Sequence, residues 1–390
     1  MKINSIQFLR AVAAILVVYE HSMNVQVVYN VSAEQNFFHL RHFGCIGVDL
    51  FFVISGFIIT YIANKYNGYS QGLYFLAKRF CRINPVYYLA TLIYFAATTL
   101  RTGIPSVNDI APQAANSILI FPTSAFIGSF SPLLIIGWTL AFEWFFYILF
   151  FSSILLKVKR KAFYMLGIIG CLVLIGRILH FYDLRLVFIT NPMMLEFLLG
   201  IIICYSYLYI KHIPAFIGSI LLGFGLLNYV LMIIFGYGNV WNCYQILSGD
   251  QSFSRFLYWG IPSSLIVAGS VILEKNGKLA PVWSNQYSKL LGDASYSIYL
   301  SHFITLDLMM LLYSKANFIM QADLMIWVQV ITAVTLSIVF YKKIEKPLLQ
   351  YIIRSSIWNG LFNKKITTTN ETITVDAQLN PSAHLLITDK

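Results

Sequence analysis

Charge is what this sequence has least of. Only 11% of its 390 residues are Asp, Glu, Lys or Arg, against about 25% in soluble domains. Hydrophobic residues make up 58%, which excludes an ordinary water-soluble globule. The five cysteines include no CxxC pair and no metal-ligand spacing, so neither a structural zinc site nor a dithiol redox motif is encoded. Cys81, Cys171 and Cys204 fall in or beside apolar runs, where a small buried hydrophobe is the ordinary reading. Cys45 and Cys243 share one expected external side and leave a single disulfide open. A net charge of +11 comes with no basic face and no nucleic-acid-binding module, which excludes nucleic acid as a partner. There is no internal repeat and no inverted pair of broken helices, which weighs against a secondary transporter.

What is present is a series of apolar runs of about 20 residues, each long enough to cross roughly 30 Å of hydrocarbon as a helix. Ten spans are expected: 5–27, 43–64, 83–101, 138–156, 162–180, 191–210, 214–235, 255–273, 291–313 and 324–342. The fold class is therefore all-α and polytopic. The first span is interrupted by Arg10 and ends in no small-residue cleavage site, so it reads as a retained helix and not a cleaved signal peptide. Segment 117–136 carries Pro122, Pro132 and Gly128 and reads as a re-entrant or interfacial external stretch. Basic residues then alternate by loop. Lys65, Lys78, Arg79, Arg82, Lys157, Lys159, Arg160, Lys161, Lys275, Lys278, Lys289 and the Lys342–Arg354 cluster share one side. Arg41, Arg101, Arg185, Arg255 and Lys315 hold the other. The positive-inside rule makes the first side cytoplasmic, with both termini there. Residues 1–354 form the membrane domain. The polar, Thr-rich 355–390 has too little apolar content to fold alone and reads as a mostly disordered cytoplasmic tail.

Ionisable side chains inside a bilayer are costly, so their positions mark candidate function. Arg10 and His21 are eleven residues apart, which returns them to within roughly 20° of one helical face and separates them by about 16 Å along the axis. The second span opens Gly47-Val48-Asp49-Leu50-Phe51-Phe52 and continues Ile54-Ser55-Gly56-Phe57. Asp49 is a candidate partner of His21 or of a substrate hydroxyl, while Ser55 and Gly56 also suit close helix packing. Arg79 and Arg82 share a face at i,i+3. They read either as a stop-transfer cluster or as a guanidinium clamp on phosphate oxygens, which suits coenzyme A. Glu143, among aromatics in the fourth span, is expected level with His21, either as an acid/base group or as partner to a buried cation such as Arg177. His302 in the ninth span falls near mid-membrane. Glu196, Arg177, His180 and Asp307 are weaker candidates. The expected map has two layers, arginines at the cytoplasmic entrance and His21, Asp49 and Glu143 in the outer half. A charged donor inside and a hydroxyl acceptor outside would suit it.

Together these motifs resemble the acyltransferase-3 family of bacterial membrane O-acyltransferases, the type that acylates polysaccharide or O-antigen. The match comprises Arg10 with His21, the GVDxFFxxSGF run from Gly47 to Phe57, and Arg79-x-x-Arg82 followed by Pro85. It continues with Trp138 to Tyr147 (Thr139 where the family has Ser), the S-Y-x-I-Y-L-x-H run ending at His302, and Glu345-Lys346-Pro347. It covers residues 5–354. Glu20 beside His21, and Trp144 and Phe145, depart from the family pattern without touching a matched functional position. The resemblance implies transfer of an acyl group, commonly acetyl, from cytoplasmic acyl-coenzyme A to a hydroxyl of a glycan or lipid-linked glycan at the bacterial inner membrane. No metal is implied, and the partners besides donor and acceptor are membrane lipids. Under it His21 is general base or acyl relay, with Arg10, Glu143 and Asp49 in the catalytic group. Arg79 and Arg82 hold the acetyl-CoA phosphates, and His302 and Tyr147 contact substrate. The extracytoplasmic esterase-like domain of some relatives is not matched, so the expectation is a chain that works alone or with a separate partner. A glycan or acyl-group transporter, and an acyltransferase with a non-polysaccharide acceptor, are the alternatives the residues leave open. Oligomeric state is not legible.

Overall fold

The computed structural model describes residues 3–28, 42–103, 105–123, 132–236, 240–316 and 322–355. These form helices α1 (Asn4–Val28), α2 (Ile46–Ala63), α3 (Tyr69–Thr102), α4 (Val107–Leu119), α5 (Gly137–Leu155), α6 (Lys161–Leu179), α7 (Leu184–Ile189) and α8 (Met194–Tyr209). They continue with α9 (Ala215–Phe235), α10 (Cys243–Leu247), α11 (Ser252–Arg255), α12 (Ile261–Lys275), α13 (Ala280–Trp283), α14 (Gln286–Ala316), α15 (Ala322–Phe340) and α16 (Lys346–Arg354). No strand occurs among the described residues. Ten helical stretches are long and apolar enough to cross a membrane, so the protein is an all-α, multi-pass membrane protein. Segment 117–136 is not among the ten. Its described residues fold back on the end of α4, where Ser117 Oγ accepts from Leu133 N at 2.8 Å and Asn116 Oδ1 from Thr123 N at 2.9 Å. Arg41, residues 124–131 and the tail beyond Ser355 lie outside the described residues. All five cysteines are free thiols, so Cys45 and Cys243 are not bridged.

Without a hydrophobic drive between helices in lipid, association depends on close packing and on small residues that permit it. The α2–α8 contact shows this. A Cβ on Gly56 would meet the Phe197 carbonyl oxygen at 2.2 Å, and one on Gly200 would meet that of Val53 at 2.1 Å. The two backbones touch because neither residue carries a side chain. The α1–α2, α1–α14 and α14–α15 contacts complete the centre of the bundle, and the α9–α12 pair flanks it. Helices α6 and α9, with only 22% of each span buried, form the lipid-facing rim. One end of the bundle gathers Lys275 and the first turn of α1, whose Asn4 and Ser5 N–H groups donate to Glu274 at 2.7 Å. It is called the basic end below, and the opposite one the far end.

Two boundaries differ from the sequence expectation. Helix α3 begins at Tyr69 and not at 83, so Lys78, Arg79 and Arg82 stand inside one continuous 34-residue helix with Pro85 in its middle. The basic residues read as the end of a loop, but a cavity within the bundle receives the two arginines there. The eighth span starts further back, as α11 followed by a π-helical turn at Phe256–Gly260. That places Arg255 within the bundle, 1% exposed, where a loop residue was expected.

Candidate active site

A cavity of about 820 Å³, its open mouth included, lies between α1, α2, α3, α5 and α14. Arg10 reaches it from α1, and Arg79 and Arg82 from α3. Ser55 comes from α2, Glu143 and Tyr147 from α5, and Ser295, Tyr296 and Tyr299 from α14. The helical spacings explain the convergence. Arg79 and Arg82 are one turn apart on α3, Glu143 and Tyr147 one turn apart on α5, and each pair therefore presents a single face. None of the three guanidinium groups makes a hydrogen bond or an ion pair with another described residue. Arg79 is 9% exposed, and its Nε has no hydrogen-bond partner. Arg82 is exposed at the mouth.

The single carboxylate among them is Glu143. Its Oε1 accepts from the Tyr147 hydroxyl in a short hydrogen bond and from Ser55 Oγ at 3.3 Å. Among the lining residues three cations meet one carboxylate, while Asp293 and Glu345, outside the lining, also act electrostatically on Arg10. With none of the three guanidinium groups hydrogen-bonded to a described side chain, the arrangement suits a polyanionic ligand held through paired guanidinium contacts.

The histidines lie beyond this chamber, toward the far end. His21 Nδ1 and His302 Nε2 are 3.1 Å apart, with ring centroids at 5.0 Å. The Phe303 ring meets His21 edge-on at 5.4 Å. His302 is wholly buried. Phe51 and Tyr299 both line the cavity and meet in a T-shaped contact at 5.8 Å. The Tyr299 ring is 6.2 Å from that of His302, and its hydroxyl is fixed by Thr139 Oγ1 at 2.7 Å. Toward the basic end, Glu345 of the Glu-Lys-Pro run accepts a short hydrogen bond from Ser297 Oγ.

Several expected neighbours are rearranged. Asp49 does not join His21. It is fully buried, and both its oxygens accept from Arg255, at 2.9 Å from Nε and 2.8 Å from Nη2. The same guanidinium donates to the carbonyls of Cys45 and Val240. Asp49, expected in the catalytic group, is held in an internal ion pair and does not line the cavity, which Val48, Phe51, Phe52 and Ser55 of α2 face. Glu143 is not level with His21 either. Its partner Ser55 is six residues below Asp49 on α2, about 9 Å nearer the basic end, and Glu143 belongs with the arginines. Arg177 is not its counter-ion, being exposed and stacked on Phe253 at 5.5 Å. His302, expected to contact substrate, lies against His21. Asp307 pairs with Arg101 at 2.7 Å. Glu196 is buried beside Gly260, with neither oxygen hydrogen-bonded. Sequence reasoning missed Arg255, Ser55 as donor to Glu143, and Tyr299. For Tyr299 the signal was its place one turn before His302.

Residues 3–342 match the Acyl_transf_3 family model, described as an acyltransferase domain. The chain belongs to the acyltransferase-3 family. It is accordingly a membrane acyltransferase, and the cavity and histidine pair are read below as its site. Among similar proteins, the exopolysaccharide production protein ExoZ of Rhizobium meliloti (strain 1021) is 32% identical over 80% of this chain and 92% of its own length. Staphylococcus aureus chains named as O-acetyltransferases are 25% identical, over 82% of this chain for strain MRSA252 and 81% for strain COL. This chain spans about half of their length, 55% and 54% respectively. No solved structure matches.

Proposed function

We propose that this acyltransferase moves an acetyl group from cytoplasmic acetyl-CoA to a hydroxyl of a surface glycan, such as an exopolysaccharide or O-antigen, across the bacterial inner membrane. The observation that carries the donor is the set of three guanidinium groups that line one cavity with no hydrogen-bonded counter-ion. A coenzyme A thioester brings several phosphate charges and a long neutral arm. Arg79 and Arg82 would hold phosphate oxygens at the mouth, and Arg10 would steady the arm as it runs past Phe51 and Tyr299. On this reading the basic end faces the cytoplasm, as the loop charges favour. Arg10 and His21 are separated by about 16 Å along α1, a gap that a flexible arm can bridge.

The acceptor is argued from the exopolysaccharide name of the Rhizobium relative and from the far-end position of His21. There His21 would take the proton of the attacking hydroxyl as general base, or carry the acyl group on its ring nitrogen. The test has two arms. Purified protein in lipid, given [14C]acetyl-CoA and the polysaccharide of its host, should release free coenzyme A in step with labelled glycan. Mass spectrometry of surface glycans with and without the gene should differ by acetyl groups. Glycan movement without coenzyme A release would overturn the proposal in favour of a transporter.

A further inference from the structure

With both rings neutral, the two imidazoles and the two carbonyls beside them admit one consistent arrangement of protons. His302 Nδ1 lies 2.8 Å from the Ile298 carbonyl, a group that only accepts, so this nitrogen carries its hydrogen. His21 Nδ1 lies 3.0 Å from the Val17 carbonyl and carries one for the same reason. His302 Nε2 faces that same His21 Nδ1 at 3.1 Å. A proton on His302 Nε2 would set two N–H groups against each other inside the bundle. His302 is therefore neutral with a bare Nε2, and the His21 Nδ1–H is shared between Val17 and His302. The remaining nitrogen, His21 Nε2, is left as an unprotonated lone pair. His302 is also the partner that cannot move, since it is wholly buried and packed between Tyr299 and Phe303.

We propose that His302 is a positioning residue that, as second acceptor beside the Val17 carbonyl, holds His21 in the tautomer with Nδ1 protonated and Nε2 free to react. The role corresponds to that of the third group of a catalytic triad, here filled by a neutral imidazole. The inference rests on the reading of His21 as the reacting histidine. If His21 is the base, the acceptor oxygen forms its bond to the thioester carbon while its proton passes to Nε2. The C–S bond breaks with its electron pair on sulfur, and the proton on Nε2 goes on to that thiolate to give the free thiol. If His21 is the relay, Nε2 forms the C–N bond as the thiolate leaves. The acceptor oxygen then attacks the same carbon, the C–N electron pair returns to Nε2, and the hydroxyl proton ends on the thiolate. In both routes Nδ1 keeps its hydrogen throughout. The positive charge on the His21 ring is met by two acceptors, the Val17 carbonyl and His302 Nε2.

The test reads the tautomer directly, without activity. Full-length protein labelled with 15N-histidine in lipid nanodiscs is measured by nitrogen NMR, with the His21 signals identified by their loss in His21→Asn. The expected result is a protonated Nδ1 and a bare Nε2 on His21 in the wild type. In His302→Leu, where the Val17 carbonyl is the one acceptor left for Nδ1–H, the Nε2-protonated form should become detectable beside it, while His302→Gln, whose amide oxygen can still accept, keeps the wild-type form. In the labelled acetyl-transfer assay, His302→Leu should lose kcat on the order of 10²-fold with KM for acetyl-CoA unchanged, and His302→Gln should recover most of it. A protonated Nε2 on wild-type His21 overturns the proposal even if the Leu variant fails to fold. So do Leu and Gln variants with equal rates. Full activity of His21→Asn would instead overturn the reading of His21 as reacting, and the wild-type spectrum would still report the tautomer.

Discussion

The inequality between three arginines and one glutamate is a property of individual side chains, and it separates the roles of the substitutions. Arg79→Ala or Arg82→Ala removes guanidinium contacts worth about 1.5–3 kcal/mol each to a charged oxygen. KM for acetyl-CoA should therefore rise on the order of 10- to 100-fold while KM for the glycan stays put. Steady-state kinetics with each substrate varied in turn measures this, and equal effects on both would return the pair to a topological role. His21→Ala should lose on the order of 10²–10⁴-fold in rate as a missing general base, and more if the residue also carries the acyl group. The variant should still insert and fold, since its packing losses are small. Asp49 behaves in the opposite way. Removing Asp49 takes away the bidentate partner of buried Arg255, a loss of up to about 3–5 kcal/mol, with Glu196 the acid that remains beside it. Asp49→Ala should thus fail in thermal stability and yield, and whatever protein survives should keep its KM for acetyl-CoA.

At the scale of elements, α2 has the densest set of duties. Gly56 lets it touch α8, Asp49 ties it to Arg255, and Ser55 reaches the cavity carboxylate. Gly56→Val places a branched side chain where the Phe197 carbonyl already stands, and overpacking of this kind costs about 1–3 kcal/mol. A lowered melting temperature by size-exclusion thermal challenge, with no change in the cavity arginines, is the expected outcome. The helices themselves were legible because a run of about 20 apolar residues has one meaning in a bilayer. The start of α3 was not, since Lys78, Arg79 and Arg82 look like the edge of a membrane until the cavity that solvates them is known. The arginine pair and its link to Arg10 could be read from one-turn spacing and from depth. The partner of Asp49 could not, because Arg255 is 206 residues away and no local period connects them. Glu143 was found but misplaced for a related reason. Counting residues from a helix end gives depth only to within a turn, and a turn decides which layer a side chain joins.

At the scale of the whole molecule, the alternating basic loops predict that residues 157–161 face the cytoplasm. A cysteine introduced at Lys159 should resist an impermeant maleimide in intact cells and react after permeabilisation. The reverse result would invert every span.

The T-shaped contact of Phe51 with Tyr299 has a consequence for the cell. An enzyme that draws its donor from one side of an energised membrane and serves an acceptor on the other contains, by construction, most of a pore. Under the proposed function, these two rings, edge to face with the Tyr299 hydroxyl tethered to Thr139, would be where such a route is closed between turnovers, sparing the ion gradients of the host. Replacing both rings by alanine should open it. Proteoliposomes of Phe51→Ala/Tyr299→Ala loaded with a pH-sensitive dye should then equilibrate protons faster than wild-type vesicles, and adding coenzyme A should slow the leak by plugging it.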